Sequence, residues 1–133
     1  MNIGDSAARK MVVTSSMVSA YAEIRGDHNP LHFDEEFTAK TRFGKLISQG
    51  GIAVGLLHAL VAMDLPGAGT VFTNQEWQFP APVFIGDEIT ATGTLTEWNV
   101  ERHRSEMEFV ITNQNGDEVL KGSAGIYQAV PRD

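Results

Sequence analysis

Residues that can carry acid and base chemistry are concentrated in one short loop, Gly26–Asp34. Asp27 and His32 lie five positions apart, and Asn29-Pro30 turns the chain between them. A carboxylate and an imidazole that converge on one water molecule can act on it as general acid and general base. Histidine titrates near neutral pH, whereas an aspartate must be buried to exchange protons there. The loop therefore predicts a centre that activates water.

Simpler interpretations of the same loop stay open. Asp27 is also a common turn residue, His32 can be a packed core histidine, and Asp34 is well placed to cap a following helix. His28 is typical of an exposed loop position. A rival hypothesis makes the two histidines and two carboxylates ligands of a non-haem metal. Ligands drawn from one short loop match no helix-borne metal motif, so no metal is predicted.

Three helical segments are predicted in the first half of the chain, at Ser15–Arg25, at Asp34 to about Thr41, and at Gln49–Met63. The first segment follows hydroxyl residues that can cap it and ends at Gly26. The third has Ser48 as a candidate cap and is apolar on nearly every face. A helix of that kind is typical of the middle of a fold.

After residue 69 the apolar period changes to two, which predicts strands. In the first strand, one face is predicted to carry Val71, Thr73, Gln75, Trp77 and Phe79. The four predicted strands are Val71–Phe79, Glu88–Trp98, Arg104–Thr112 and Glu118–Gln128. They are interpreted as an antiparallel meander. Helices followed by strands indicate the α+β class, as a single domain spanning 1–133 with the sheet curled around one helix.

Composition excludes several functional classes. The formal net charge is −7, with no basic stripe that could follow a phosphate backbone, so no nucleic-acid partner is predicted. The chain has no cysteine, which rules out disulfides, a thiolate nucleophile and Cys-ligated zinc. No apolar segment has the length of a membrane span or a signal peptide, and a cytoplasmic protein without membrane partners is expected.

The residues from Tyr21 to Phe37 closely resemble the signature of MaoC-like (R)-specific enoyl-CoA hydratases, in which Asp-x-Asn-Pro-x-His carries the catalytic dyad. The likeness continues through three further segments, 41–44, 65–69 and 79–87. The resemblance implies a hot-dog fold, a long central helix wrapped by an antiparallel sheet. It also implies a homodimer or a dimer of dimers, with the acyl-CoA tunnel near the interface.

By the same resemblance, Asp27 and His32 hold and activate the water that attacks C3 of an enoyl thioester, and Asn29 helps to arrange them. The resemblance assigns the backbone N–H of Gly50 to the thioester oxygen, and a helix N-terminus does favour an oxyanion. Which dyad member is the base stays open. The substrate is an acyl-CoA thioester, and no cofactor is expected because CoA belongs to the substrate.

Three positions depart from the family pattern and are assigned to substrate binding: Gln49, Gly51 and His58. A narrower or more polar pocket would suit a short or functionalised acyl chain. Two alternative functions remain, an acyl-CoA thioesterase of the same fold and a non-catalytic acyl-CoA-binding subunit of a heteromeric hydratase. The leading hypothesis is a hydro-lyase that hydrates a trans-2-enoyl-CoA to a 3-hydroxyacyl-CoA, or catalyses the reverse dehydration.

Overall fold

The computed structural model describes residues 1–131; residues 132 and 133 of the predicted domain lie outside the described residues. In chain order its elements are β1 (Ser6–Val12), α1 (Ser15–Arg25), α2 (Pro30–Phe33), α3 (Glu35–Ala39), α4 (Gly50–Met63), β2 (Thr70–Gln78), β3 (Glu88–Asn99), β4 (Arg104–Thr112) and β5 (Glu118–Gln128). Within these residues no helix is long and apolar enough to cross a membrane.

The strands form one five-stranded sheet in the order β1-β3-β4-β5-β2, and every neighbouring pair is antiparallel. The predicted meander is confirmed for β3, β4 and β5. It was wrong for β2, which pairs with β5 at the far edge. The segment 79–87, which contains two prolines, carries the chain from that edge back to β3.

Strand β1 was missing from the sequence prediction. Its alternation places Ala7, Arg9 and Met11 in the less exposed row. In that row the Nε of Arg9 lies 3.0 Å from a carboxylate oxygen of Asp64, directly after α4. Because the charged Arg9 lies in the inner row, the apolar residues of β1 do not show the period of two that predicts a strand. The partner of Arg9, Asp64, is distant in the sequence.

Helix α4 packs its buried face against the sheet. Leu57 and Leu60 are fully buried, as are Ile89, Leu95, Met107, Ile111 and Leu120 on the strands. Burial of one such side chain stabilises the fold by about 1.5–3 kcal/mol. The opposite side of the helix is exposed at Gly55, His58, Ala62 and Met63, which we call the open face of α4. In the single chain, the expected position of this helix in the middle of the fold therefore holds for its sheet-facing side.

Strand β2 does not keep the predicted alternation. Phe72 and Trp77 are its partly buried aromatic residues and both pack against the core, although they are five positions apart. The register with β5 shifts between Phe72 and Asn74, and such a bulge changes which face a residue occupies. Val71, predicted to share a face with Trp77, is exposed for this reason.

Candidate active site

Helix α1 ends directly before the loop that carries Asp27 and His32. Thr14 caps it, since its hydroxyl accepts the N–H of Met17 at 3.2 Å. Gly26 follows the last turn with a φ of 75°, a conformation that glycine adopts without strain. Both predicted boundaries are confirmed. Because the left-handed residue ends the helix sharply, Asp27 lies at the mouth of the loop immediately after α1.

Asn29 organises the loop through two hydrogen bonds. Its side-chain oxygen accepts the N–H of Leu31 at 3.0 Å and thereby caps α2, whose first residue is Pro30. Its own N–H donates to the carboxylate of Asp27 at 3.3 Å. Asn29 thus links the carboxylate to the one-turn helix that carries His32.

His32 is 7% exposed, and its Nδ1 lies 2.7 Å from the carbonyl oxygen of Ile47. A carbonyl oxygen only accepts, so Nδ1 carries the proton, and in the neutral ring Nε2 keeps its lone pair. Nε2 lies 3.6 Å from a carboxylate oxygen of Asp27, whose side chain is 42% exposed. That separation is too long for a direct hydrogen bond but short enough for one water molecule to bridge the two groups.

Ile47 connects the loop to the start of α4. Its N–H donates to the carbonyl oxygen of Leu31 at 3.1 Å, and its carbonyl oxygen accepts from His32. Both backbone groups of this one residue are therefore bound to α2. The role belongs to the backbone, so no side-chain pattern could have revealed it in the sequence. Gly50 begins α4 only three residues later.

The N-terminus of α4 has free donors. Gln49 is the N-cap residue but makes no side-chain capping bond, and Ser48 Oγ donates instead to the carbonyl oxygen of Gln49. Ser48 as the cap was therefore a wrong interpretation. Within residues 1–131 the N–H groups of Gly50 and Gly51 have no partner. Such amides stand at the positive end of the helix dipole and favour a negatively charged oxygen.

Gln49 is 2% exposed and turns toward α1. Its Nε2 donates to the carbonyl oxygen of Val18 at 3.0 Å, while Oε1 has no partner among the described residues. Gln49 and Gly50 line a cavity of about 280 Å³ together with Phe79. Asp27 and His32 do not line this cavity.

His58 lies on the open face of α4, in a second depression of about 430 Å³. Its Nε2 donates to Gln75 Oε1 at 2.9 Å, and the same oxygen accepts the indole N–H of Trp77 at 3.0 Å. The ring also stacks on Phe72, with 4.3 Å between centroids. In the neutral ring Nδ1 is then the free acceptor.

The structure brings Asp27, Asn29 and His32 together and ties them to the start of α4. It does not gather the three positions assigned to substrate binding, because Gln49 and His58 line different depressions and Gly51 faces α1.

Asp34 accepts the N–H of Phe37 at 3.0 Å, which confirms it as the cap of α3. Across residues 1–131, no three His, Asp or Glu side chains converge as a metal site would require.

Comparison with known proteins gives consistent matches. A family model described as MaoC like domain matches residues 4–118. A 3-hydroxybutyryl-CoA dehydratase of Methylorubrum extorquens is 38% identical over 120 residues, which is 90% of this chain and 75% of that protein. An (R)-specific enoyl-CoA hydratase of Aeromonas caviae is 32% identical over 124 residues, 93% of this chain and 92% of that protein.

The three-dimensional likeness is equally extensive. The solved structure of an (R)-hydratase from A. caviae involved in PHA biosynthesis superposes with a TM-score of 0.92 at 30% identity, over 97% of this chain and 98% of that one. An unliganded R-hydratase from Pseudomonas aeruginosa gives a TM-score of 0.89 at 27% identity, over 100% of this chain and 92% of that one. The predicted hot-dog fold is confirmed, and the chain belongs to the MaoC-like family of hydro-lyases.

Proposed function

We propose that this protein adds water across the double bond of a trans-2-enoyl-CoA to give the (R)-3-hydroxyacyl-CoA, and catalyses the reverse dehydration. The named hydratase and dehydratase relatives support the reaction class. The observation that carries the proposal is that Nδ1 of His32 lies 2.7 Å from the carbonyl oxygen of Ile47, which leaves Nε2 as the ring nitrogen 3.6 Å from the carboxylate of Asp27. Two acceptors bridged by one water molecule hold both of its hydrogens and leave its oxygen lone pairs directed away from them.

In the proposed forward reaction, the water oxygen attacks C3 of the enoyl thioester. His32 Nε2 takes one water proton while Asp27 accepts a hydrogen bond from the other. The electron pair of the double bond moves toward the thioester oxygen and forms an enolate. The Asp27 side chain is 42% exposed in the single chain whereas His32 is buried, so we assign the proton transfer to the imidazole and the orientation of the water to the carboxylate.

The enolate then collapses with protonation of C2. The imidazolium of His32 returns the proton that it took, so hydroxyl has been added at C3 and hydrogen at C2, with no net change in the enzyme. The free N–H of Gly50 supports stabilisation of the enolate oxygen, since a preorganised donor is most effective where charge develops. Each step uses only side chains and backbone of this chain, so the proposed reaction requires no cofactor.

We assign substrate-binding roles to Gln49, Gly51 and His58. For Gln49, the assignment is supported by the cavity that it lines together with Gly50. For His58, it is supported by the polar ring that this residue adds to the open face of α4. The free Nδ1 of His58 would accept a hydrogen bond from a hydroxyl group on the acyl chain. A short or functionalised chain is the proposed substrate class. Cytoplasmic location remains a prediction from the sequence.

We also propose that the protein forms a homodimer through β2 and the open face of α4. Within residues 1–131, β2 is an edge strand that pairs only with β5, so one row of its backbone N–H and C=O groups is left without a sheet partner. Val71 on β2 and Met63 on the open face of α4 are 55% and 70% exposed. Pairing two edges would satisfy the backbone groups and cover these side chains. Sedimentation analysis should give twice the chain mass of 14.5 kDa.

The decisive experiment is a panel of trans-2-enoyl-CoA substrates with two readouts. Hydration removes the conjugated enoyl absorbance without releasing thiol, whereas a thioesterase releases free CoA from the same substrates. Chiral analysis of the product then assigns the configuration at C3. Release of thiol at the rate of absorbance loss, or no reaction with any enoyl-CoA, would overturn the proposal and leave thioester hydrolysis or simple acyl-CoA binding in its place.

A further inference from the structure

The first turn of α4 contains a contact that the proposed mechanism has not used. A Cβ placed on Gly51 would overlap the hydroxyl oxygen and Cζ of Tyr21 and lie 3.0 Å from its Cε2. The phenol of Tyr21 therefore occupies the volume that a side chain at position 51 would fill. Glycine at this position allows a tyrosine hydroxyl to reach the backbone at the start of α4.

The hydroxyl of Tyr21 has no hydrogen-bond partner within residues 1–131. Tyrosine hydroxyls that are partly buried usually find one. The N–H groups of Gly50 and Gly51, which also have no partner, belong to the same turn of the helix. Three donors without acceptors among the described residues thus lie at the start of α4. A single acceptor oxygen placed there would satisfy a phenol O–H and a backbone N–H together.

The phenol is held in place from several directions. Gln49 Nε2 donates to the carbonyl oxygen of Val18, about one turn before Tyr21 on α1, and so fixes α1 against the start of α4. The guanidinium of Arg25 lies over the ring, 5.9 Å from its centroid. Helix α1 then ends at Gly26, directly before Asp27. The same short stretch therefore positions both the hydroxyl and the dyad carboxylate.

We propose that the Tyr21 hydroxyl is a second donor to the thioester oxygen, acting beside the N–H of Gly50 as the enolate forms. This inference rests on the proposed hydratase function. It also explains glycine at position 51, because the absence of a side chain there leaves room for the phenol. Gln49 contributes by holding α1 against the start of α4. A donor that has no partner in the free protein loses no internal hydrogen bond when the substrate binds.

The test compares Tyr21→Phe with Tyr127→Phe, the same chemical change at the other tyrosine of the chain. Tyr21→Phe should lower kcat by about 10²-fold with little change in KM, as removal of one oxyanion donor does. Its melting temperature should equal that of the wild type, because no internal hydrogen bond is lost. Tyr127→Phe should retain wild-type kinetics. Equal kcat for Tyr21→Phe and wild type would overturn the inference.

A binding measurement distinguishes a hydrogen-bond donor role of the Tyr21 hydroxyl from a role of its ring in packing. Acetoacetyl-CoA ionises to an enolate with its own near-ultraviolet band, so the fraction bound as enolate reports stabilisation of the thioester oxygen without turnover. Tyr21→Phe should reduce this band at least tenfold at saturation, and an unchanged band would contradict the proposed donor. If the wild type hydrates no enoyl-CoA, the proposed function fails; if it does and only the Tyr21 readouts are unaffected, this inference alone fails.

Discussion

The Nδ1–H of His32 donates to the carbonyl oxygen of Ile47 across 2.7 Å. This one bond fixes the tautomer of the imidazole and leaves Nε2 to face Asp27. We therefore expect His32→Ala to lower the rate of enoyl-CoA hydration by about 10²- to 10⁴-fold. The matched control is His28→Ala, which removes an exposed histidine from the same loop and should leave the rate unchanged. Comparable losses in both variants would mean that the loop, rather than the imidazole, was disturbed.

Asp27→Asn tests the carboxylate with the smallest change of shape. The amide oxygen can still accept the N–H of Asn29, so the loop should keep its conformation. Loss of the negative charge removes the stronger acceptor of the water, and kcat should fall by about 10²- to 10⁴-fold. Steady-state kinetics measure this, and circular dichroism checks the fold. A variant that turns over every accepted enoyl-CoA at the wild-type rate would contradict the role of Asp27.

Asn29 should act on catalysis through the position of α2. Asn29→Ala removes the cap at Leu31, which costs about 1 kcal/mol of stability and loosens the one-turn helix that carries His32. We expect kcat to fall, together with the urea midpoint of unfolding. Asn29→Asp can still cap and should restore most of both quantities. A reduced midpoint with full activity would show that α2 does not need its cap to hold the imidazole.

His58 should influence which acyl chains are accepted. Its ring is held by Gln75 and Phe72, so it occupies the depression beside α4 in a fixed orientation. His58→Ala enlarges that depression and removes its polar atom. The kcat/KM for long unsubstituted enoyl chains should rise by about 10-fold relative to short ones, as expected for a few methylene contacts. An unchanged chain-length profile would place the acyl chain elsewhere.

Gly93 lies on β3 where the strand packs against Leu60 of α4. A Cβ there would lie 2.9 Å from Phe109 Cε1 and 3.0 Å from Leu60 Cδ2. Gly93→Ala should therefore overpack the core and reduce the free energy of unfolding by about 1–3 kcal/mol. Thr94→Ala, in the other row of β3, should change it by no more than about 0.5 kcal/mol. Urea unfolding measures both, and equal midpoints would mean that the core accommodates the methyl group.

Local chemistry made much of the first half predictable. Gly26 ends α1 and Asp34 caps α3, as the sequence indicates, because each acts on residues within one helical turn. The loop signature predicted that Asp27 and His32 would converge, and a carboxylate oxygen of Asp27 lies 3.6 Å from Nε2 of His32. Features that depend on residues close in sequence were therefore accessible from the sequence alone.

Features that depend on distant partners were not accessible. Arg9 lies in the inner row of β1, where it pairs with Asp64, and the bulge after Phe72 reverses the faces of β2. His58 is exposed because the sheet covers the other side of α4. A sequence that is apolar on nearly all faces of the helix does not indicate which side the sheet covers. The contact between Tyr21 and Gly51 likewise joins two segments thirty residues apart.

Ile47 binds α2 through both of its backbone groups and leads within three residues to Gly50. The water proposed to attack C3 and the amide proposed to bind the thioester oxygen would thus be positioned by one continuous stretch of main chain, which sets the distance between them. A saturated acyl thioester would present its carbonyl to the anchor but no electrophilic carbon at the β position. Such a molecule should occupy the enzyme unreacted and act as a competitive inhibitor.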